Sequence, residues 1–269
     1  MPRFAMACNL RVIDSTDRLP ALRIRSLHKS FARGSAISPT RFAALVDVSF
    51  DLMRGEVLGI VGAAGAGKTT LLQCAAGILR RDRGFVDWFG EPFAGGGCLP
   101  DVAFVPAMPV YYPFLTVRDV LEYRLAKTGM TLLQRNRAIE SALERLDLSA
   151  SSAASVSDLA REAVKRLAIA EALTGEPKII FLDSTPADMT AACPPPVLSA
   201  LASEAAGGRA VVVAVRDAGV IAPIASRILL LEKGRNAGVF SSEQPRLEAA
   251  LPQFPVIETR TRFVAERMH

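Results

Sequence analysis

Residues 62–69, which read Gly-Ala-Ala-Gly-Ala-Gly-Lys-Thr, constrain the fold of this chain more than any other segment. They match the pattern G-x-x-x-x-G-K-[ST], in which glycines let consecutive backbone N–H groups turn inward around a phosphate. An apolar run at 56–61 precedes the match, and a helix predicted over 68–79 follows it. From average composition, a chance match in a chain of 269 residues is on the order of one in a hundred. The segment therefore predicts an α/β domain that binds a phosphate group.

Each residue type in this motif has a chemical task. The Lys68 ammonium reaches the outer phosphates of a nucleotide, and the Thr69 hydroxyl can ligate magnesium. A second group on the magnesium side is expected where a neighbouring buried strand ends. Asp183 ends the apolar run 178–183, from which it would hold the metal through water. Many buried strands end in Asp, so this signal gains its weight from the loop. The predicted nucleotide contacts are Gly62, Ala63, Ala64, Gly65, Ala66, Gly67, Lys68, Thr69 and Thr70, and the predicted metal ligands are Thr69 and Asp183.

Composition excludes several classes of protein. Half of the residues are hydrophobic and 22% are charged, which is typical of a packed domain and not of a disordered chain. Four cysteines without a C-x-x-C pair exclude a disulfide scaffold and a zinc ribbon. The net charge of +5 fits an anionic partner or a slightly basic enzyme, but no basic patch with interleaved aromatic residues supports nucleic-acid binding. No run approaches the roughly 18 apolar residues of a spanning helix, so we expect a cytoplasmic chain whose residues 1–20 form a flexible tail.

Hydrophobic periodicity predicts strands, then a helical insert, then strands and helices again. Roughly alternating residues indicate early strands of an antiparallel edge, and continuous apolar runs are typical of a buried parallel sheet. The predicted strands are 22–31, 42–52, 56–61, 178–183, 209–215 and 227–231. The predicted helices are 68–79, 116–127, 132–146 and 158–173, of which the second has a capping-box start at Thr116 and Asp119. The expected fold class is therefore α/β, with a phosphate-loop core sheet, an antiparallel β edge and a helical subdomain.

Beyond the loop, the chain resembles the nucleotide-binding domain of ABC transporters over about residues 21–235. The matching segments are Val46-Asp47-Val48-Ser49-Phe50, Gly55-Glu56-Val57-Leu58-Gly59-Ile60-Val61-Gly62, Gly77-Ile78-Leu79, Tyr112-Pro113-Phe114-Leu115-Thr116-Val117, residues 166–173 and Lys233-Gly234-Arg235. The spacing also agrees, with 115 residues between Lys68 and Asp183 (183 − 68) and a helical insert between them. The resemblance implies a P-loop NTPase fold with an ABC-type, RecA-like core. Its helical subdomain would lie at about 113–175, and a C-terminal extension would follow at 236–269.

The same resemblance implies ligands and partners. Members of the family bind ATP with Mg²⁺, pair head to tail as a homodimer or a heterodimer, and dock on a membrane permease subunit. The chain would then lie at the inner face of the cell membrane. Phe31 stands where the family stacks an aromatic ring on adenine, although a core Phe fits the sequence equally well. Tyr111 and Tyr112 are candidate contacts with the permease, the alternative being a loop that packs on its own helical subdomain.

The chain departs from the family in the residues that accompany hydrolysis. Ala107 stands where a glutamine is expected, and the signature Leu-Ser-Gly-Gly-Gln is replaced by Leu-Ala-Arg-Glu-Ala at residues 159–163. Arg161 and Glu162 would obstruct the approach of that backbone to a γ-phosphate. The catalytic glutamate after Asp183 is Ser184, whose hydroxyl cannot take a proton from water at neutral pH.

Two further departures lie near the ends of later strands. The loop after residue 184 lacks the family's closing aspartate, although Asp188 would substitute for the missing base if the loop is remodelled. Arg216 replaces the expected histidine, and no histidine occurs between His28 and His269. Arg216 would act either as a fixed cation towards a γ-phosphate or as a solvated arginine.

These observations favour an ABC subunit that binds Mg-ATP, pairs with another ATPase subunit or with itself, and docks on a permease, with weak or absent hydrolysis at its own site. Two alternatives stay open. One is a working transport ATPase whose departures are compensated by a partner or by Asp188, and the other is a soluble regulatory ATP-binding protein. A phosphate-loop kinase is disfavoured by the 115-residue spacing between Lys68 and Asp183 (183 − 68).

Overall fold

Two β-sheets organise the part of the chain that the computed structural model describes, residues 19–33, 40–93, 101–126, 128–184 and 195–241. The strands, in chain order, are β1 (Leu22–Arg33), β2 (Thr40–Leu52), β3 (Val57–Val61), β4 (Arg83–Trp88), β5 (Glu91–Pro92), β6 (Val102–Val105), β7 (Ile179–Asp183), β8 (Ala210–Val215), β9 (Arg227–Glu232) and β10 (Arg235–Ser241). The helices are α1 (Lys68–Ala75), α2 (Val117–Leu125), α3 (Leu132–Arg145), α4 (Arg161–Thr174), α5 (Pro195–Ala206) and the single turn α6 (Ala218–Ile221).

The central sheet has six strands in the order β10-β9-β3-β8-β7-β6. Five of them are parallel, and β10 closes the sheet as an antiparallel partner of β9. Strands buried on both faces must be apolar along their whole length, and β8, which reads Ala-Val-Val-Val-Ala-Val, is buried at every position. The register pairs Val61 with Val215 and Asp183 with Ala214, so the ends of β3, β7 and β8 meet at one edge.

The second sheet is antiparallel, with the order β2-β1-β4-β5, and it confirms the predicted β edge. Its strand β4 was not predicted from the sequence, and neither was β6 of the central sheet. Only the second half of β4 is buried, so the hydrophobic pattern along it is too short to read as a strand. Four residues of β6 are likewise too few to separate a strand from an apolar loop.

The helices α2, α3 and α4 pack on one another through buried residues that include Leu121, Leu143 and Leu167. The capping box at the start of α2 is confirmed, because Thr116 accepts from the Asp119 N–H while the Asp119 carboxylate accepts from the Thr116 N–H. Two helix bounds differ from the prediction by three residues or more. Helix α1 ends at Ala75, because the chain turns through Gly77 at φ +77°, and α4 begins only at Arg161, after a short 3-10 turn.

The core is divided by the central sheet. Alternate residues of β7 enter opposite clusters: Ile179 and Phe181 pack with the antiparallel sheet and α1, whereas Ile180 and Leu182 pack with α2, α3 and α4. Within the described residues, no helix is both long enough and apolar enough to cross a bilayer.

Candidate functional site

The loop between β3 and α1 is held close to neighbouring backbone. A Cβ on Gly62 would lie 2.3 Å from the carbonyl oxygen of Leu231, and a Cβ on Gly67 would lie 2.5 Å from that of Ala44. Gly67 also has φ +102° and directly precedes the first residue of α1. These two positions therefore require glycine. They fix a loop whose following N–H groups open the helix, which is the arrangement that binds phosphate.

The Lys68 side chain folds back over this loop. Its ammonium donates to the carbonyl oxygens of Gly62 at 2.6 Å and Ala63 at 2.9 Å. Burial lowers the pKa of Lys68 and the charge of Arg216 lowers it further, while Asp183 acts in the opposite direction. An anion bound between Lys68 and Arg216 would favour the charged form of Lys68, and it would thus oppose the lowering of its pKa.

Thr69 and Asp183 meet although 114 residues separate them (183 − 69). The Thr69 hydroxyl lies beside the Asp183 carboxylate, and Asp183 is only 3% exposed. Burial raises the pKa of Asp183, while the nearby Thr69 hydroxyl and the charges of Lys165 and Lys68 oppose that rise. A hydroxyl and a carboxylate oxygen are ligands that suit Mg²⁺. No three His, Cys, Asp or Glu side chains cluster in the described ranges.

Two of the residues that depart from the family pattern, Ser184 and Arg216, directly follow β7 and β8 at this edge. Ser184 is 8% exposed, and its hydroxyl has no hydrogen-bond partner among the described residues. Arg216 is exposed directly after β8, beside the loop. Arg161 and Glu162 are exposed in the first turn of α4, whose N-cap residue offers no side-chain cap. Asp188 lies outside the described residues.

Phe31 lies outside the cluster that these hydrogen bonds bring together. It lies near the end of β1, opposite Phe42 of β2, and the residue is 40% exposed, so the alternative of a core Phe is wrong. The Lys29 ammonium lies 5.4 Å from the ring centroid. Stacking of adenine on this ring stays a prediction.

A groove of about 1080 Å³ lies between β6 and the helices α2 and α4. Tyr111 lines its floor and donates its hydroxyl to the Glu171 carboxylate at 2.7 Å, and burial followed by that carboxylate raises the pKa of Tyr111. Val110, which is 89% exposed, and Tyr112 line its rim. Tyr111 packs on the helices, which fits the alternative of a loop packed on its own helical subdomain. Tyr112 presents its ring to solvent, and its contact with a permease stays a prediction.

Sequence reasoning missed two polar residues of α4, Lys165 and Glu171. Lys165 is 7% exposed and donates to the carbonyl oxygen of Pro106 at 2.5 Å and to that of Asp183. A signal was available, because Lys165 falls on the same helical stripe as Ala168 and Ala172, where a charged residue is unexpected.

Comparisons with known proteins agree on one family. The family model described as ABC transporter matches residues 45–187. A putative hemin import ATP-binding protein, HrtA of Staphylococcus saprophyticus, is 29% identical over 177 residues, which are 64% of this chain and 78% of that protein. The energy-coupling factor transporter ATP-binding protein EcfA2 of Methanospirillum hungatei is 28% identical over 205 residues, 73% of this chain but only 51% of that protein. The chain therefore spans about half the length of the second relative.

A methionine import ATP-binding protein, MetN of Brucella abortus, is 26% identical over 251 residues, 89% of this chain and 64% of that protein. Among solved structures, a dimeric bacterial ABC transporter cassette superposes with a TM-score of 0.74 at 21% identity and covers 83% of this chain and 99% of its own. A likeness at that level of identity shows the fold alone.

Proposed function

The chain belongs to the ABC transporter family, and we propose that it is an ATP-binding subunit which binds Mg-ATP, pairs with a second ATPase subunit and docks on a membrane permease, with weak or absent hydrolysis at its own site. One observation carries this proposal. Lys68, Thr69 and Asp183 lie close to one another, and Ser184 directly follows Asp183.

The binding half of the proposal rests on the loop and the strand ends. The loop between β3 and α1 would cradle the phosphates, and Lys68 would exchange its bonds to Gly62 and Ala63 for bonds to phosphate oxygens. Thr69 and Asp183 would hold Mg²⁺, which neutralises phosphate charge when bound. Phe31 would stack on the adenine at the exposed end of β1.

The hydrolysis half rests on Ser184. General-base catalysis is worth roughly 10²–10⁴-fold, and a serine hydroxyl cannot supply it to water at neutral pH. No basic group among the described residues hydrogen-bonds the Ser184 hydroxyl. The described residues therefore offer groups for binding, whereas none of them pairs with Ser184 to accept a proton from water.

Pairing with an unlike subunit would leave the two composite sites unequal. In a head-to-tail pair, each site joins the phosphate loop of one subunit to the start of the helix that corresponds to α4 in the other. The exposed Arg161 and Glu162 would face the partner's nucleotide, where Glu162 brings negative charge towards phosphate. A homodimer would thus lack both a signature and a base, so we favour an unlike partner that supplies them.

The groove between β6, α2 and α4 is the proposed docking site for the permease. Apolar and aromatic side chains line it, among them Val110, Tyr112 and Leu115, and the polar groups of Arg124 and Glu171 lie in the same wall. This lining suits a short amphipathic helix with an apolar anchor. Docking there would place the chain at the inner face of the membrane.

The test measures equilibrium binding of Mg-ATP and release of phosphate by the purified chain. Lys68→Ala is the test variant, and Lys178→Ala, which removes an exposed lysine ion-paired with Asp101, is the matched control. We expect binding that needs Lys68 but not Lys178, with no release of phosphate above the Lys68→Ala background. Release that depends on Lys68 would instead favour the alternative of an active ATPase. Binding without any association with a membrane protein would favour the soluble regulatory alternative.

A further inference from the structure

Lys165 is a buried lysine that joins two separate parts of the protein. Its ammonium donates to the carbonyl oxygen of Pro106, directly after β6, and to the carbonyl oxygen of Asp183, the last residue of β7. The residue is 7% exposed. Burying an ammonium is costly unless it is paired and hydrogen-bonded, so the position of this side chain is fixed by its acceptors.

These acceptors lie where the backbone ladder between the two strands ends. The parallel register of β6 and β7 runs from Val102 opposite Ile179 to Val105 opposite Leu182. The residue after β6 is Pro106, which has no N–H and so cannot donate a further ladder bond. Beyond this point the Lys165 ammonium, which donates to both carbonyls, links the chain after β6 to the end of β7.

The two ends of this bridge belong to different sites. Pro106 lines the proposed docking groove, and Ala168 and Glu171, further along the helix that carries Lys165, line it as well. Asp183 carries the carboxylate that meets Thr69 in the nucleotide site. Lys165 also attracts this carboxylate, because its charge lowers the pKa of Asp183. A single side chain therefore contacts both the groove wall and the metal-binding residue.

We propose that Lys165 is a positioning residue that couples the docking groove to the metal-binding carboxylate of Asp183. A partner that shifts Pro106 or α4 displaces the ammonium and with it the end of β7. By linkage, Mg²⁺ held at Asp183 favours one arrangement of the groove to the same extent. This inference rests on the proposed function of ATP binding and docking, and it names how the two events communicate.

The test compares the affinity for ATP with and without Mg²⁺ in the full chain. Lys165→Met keeps the length of the side chain and removes its charge and donors, and Lys178→Met makes the same change at an exposed lysine. Loss of a group that supports a metal ligand lowers metal affinity about 10–100-fold. We expect Lys165→Met to lose about tenfold of the Mg²⁺-dependent gain in ATP affinity while Mg²⁺-free binding through Lys68 is unchanged. Lys178→Met should match the wild type, and Lys165→Arg should restore part of the gain.

A merely structural role for Lys165 would weaken Mg²⁺-free and Mg²⁺-dependent binding together, and that result would overturn the proposal. A full Mg²⁺ response in Lys165→Met would also overturn it, while leaving the proposed ATP binding intact. ATP binding that is unaffected by Lys68→Ala would instead refute the proposed function itself.

Hydrogen exchange of the wild-type chain gives a second readout that no variant's folding can compromise. Mg-ATP should slow amide exchange at residues 103–108 of the groove wall more than Mg²⁺-free ATP does. Equal exchange in both states, with nucleotide bound, would refute the coupling.

Discussion

Three glycines of the phosphate loop separate the two costs that an added methyl group can impose. A Cβ on Gly62 would lie 2.3 Å from the backbone carbonyl oxygen of Leu231. Gly65 has φ +75° but open space around its Cβ position. Gly67 combines φ +102° with a Cβ position 2.5 Å from the carbonyl oxygen of Ala44. Substitution by alanine therefore tests contact alone, backbone strain alone, and both together.

The magnitudes follow from these distances. A left-handed backbone costs a residue with a Cβ about 1–2 kcal/mol, and this is the whole cost expected for Gly65→Ala. Overpacking costs about 1–3 kcal/mol, and the upper half applies at Gly62, because Leu231 lies within β9 and its carbonyl cannot turn away. Gly67→Ala should lose about 3–5 kcal/mol, the sum of both effects. A typical domain has only about 5–15 kcal/mol in total.

Urea unfolding of the wild type and the three variants measures these losses. The slope with denaturant should stay constant, so that midpoints report the free energy of unfolding directly. The expected order of loss is Gly67→Ala, then Gly62→Ala, then Gly65→Ala. A Gly65→Ala loss equal to that of Gly67→Ala would refute the reasoning, and so would a Gly62→Ala variant as stable as the wild type.

Three further predictions concern charge and buried polar groups. Arg227→Met should lower the free energy of unfolding, measured in urea, by about 3 kcal/mol, because it leaves the buried Glu56 carboxylate without its charged partner. Glu56 is 7% exposed and accepts from Arg227 at 2.5 and 2.9 Å. Adding Glu56→Gln should recover part of this loss. Ser184→Ala should leave thermal stability unchanged or raise it by about 1 kcal/mol, since its hydroxyl has no partner in the described part of the chain. The Ser30 hydroxyl holds the pKa of Asp82 at about 2, so wild-type stability should fall between pH 4 and pH 2 more steeply than that of Asp82→Asn.

The parts of the fold that sequence predicted are those where a local rule and the tertiary environment agree. Thr116 and Asp119 form the expected capping box because both partners lie within one helical turn. The runs ending at Asp183 and Val215 are strands because apolar residues without alternation fit only a sheet covered on both faces. Strand β4 was missed because its residues Arg83 and Gly84 are polar or small and exposed, and its pairing with β1 depends on residues far away in sequence.

In the candidate site too, the residues of a local motif were predicted, whereas a residue whose contacts depend on distant segments was not. Lys68 and Thr69 were predicted from a motif, and the structure brings Asp183 to them because β3 and β7 both pair in parallel with β8. Lys165 was not predicted, because its acceptors are backbone carbonyls of two other segments, and any residue type supplies a carbonyl. Contacts of this kind leave no trace in the sequence of the acceptor. The donor is visible only as a charged residue on an apolar helix face.

A nucleotide that is bound but not hydrolysed acts through mass action. ATP present at 100 times its dissociation constant would stabilise the folded chain by about 2.7 kcal/mol, and the proposed site keeps that stabilisation until the nucleotide leaves, because Ser184 offers no base. A homodimer would then hold two nucleotides and turn over neither. In a pair with an unlike subunit, Arg161 and Glu162 would lie only against the nucleotide bound by the partner. Turnover of the assembled transporter should therefore depend on the partner's base and not on Lys68. On the proposed function, the missing base and the altered signature would thus both favour a partner that is not a copy of this chain.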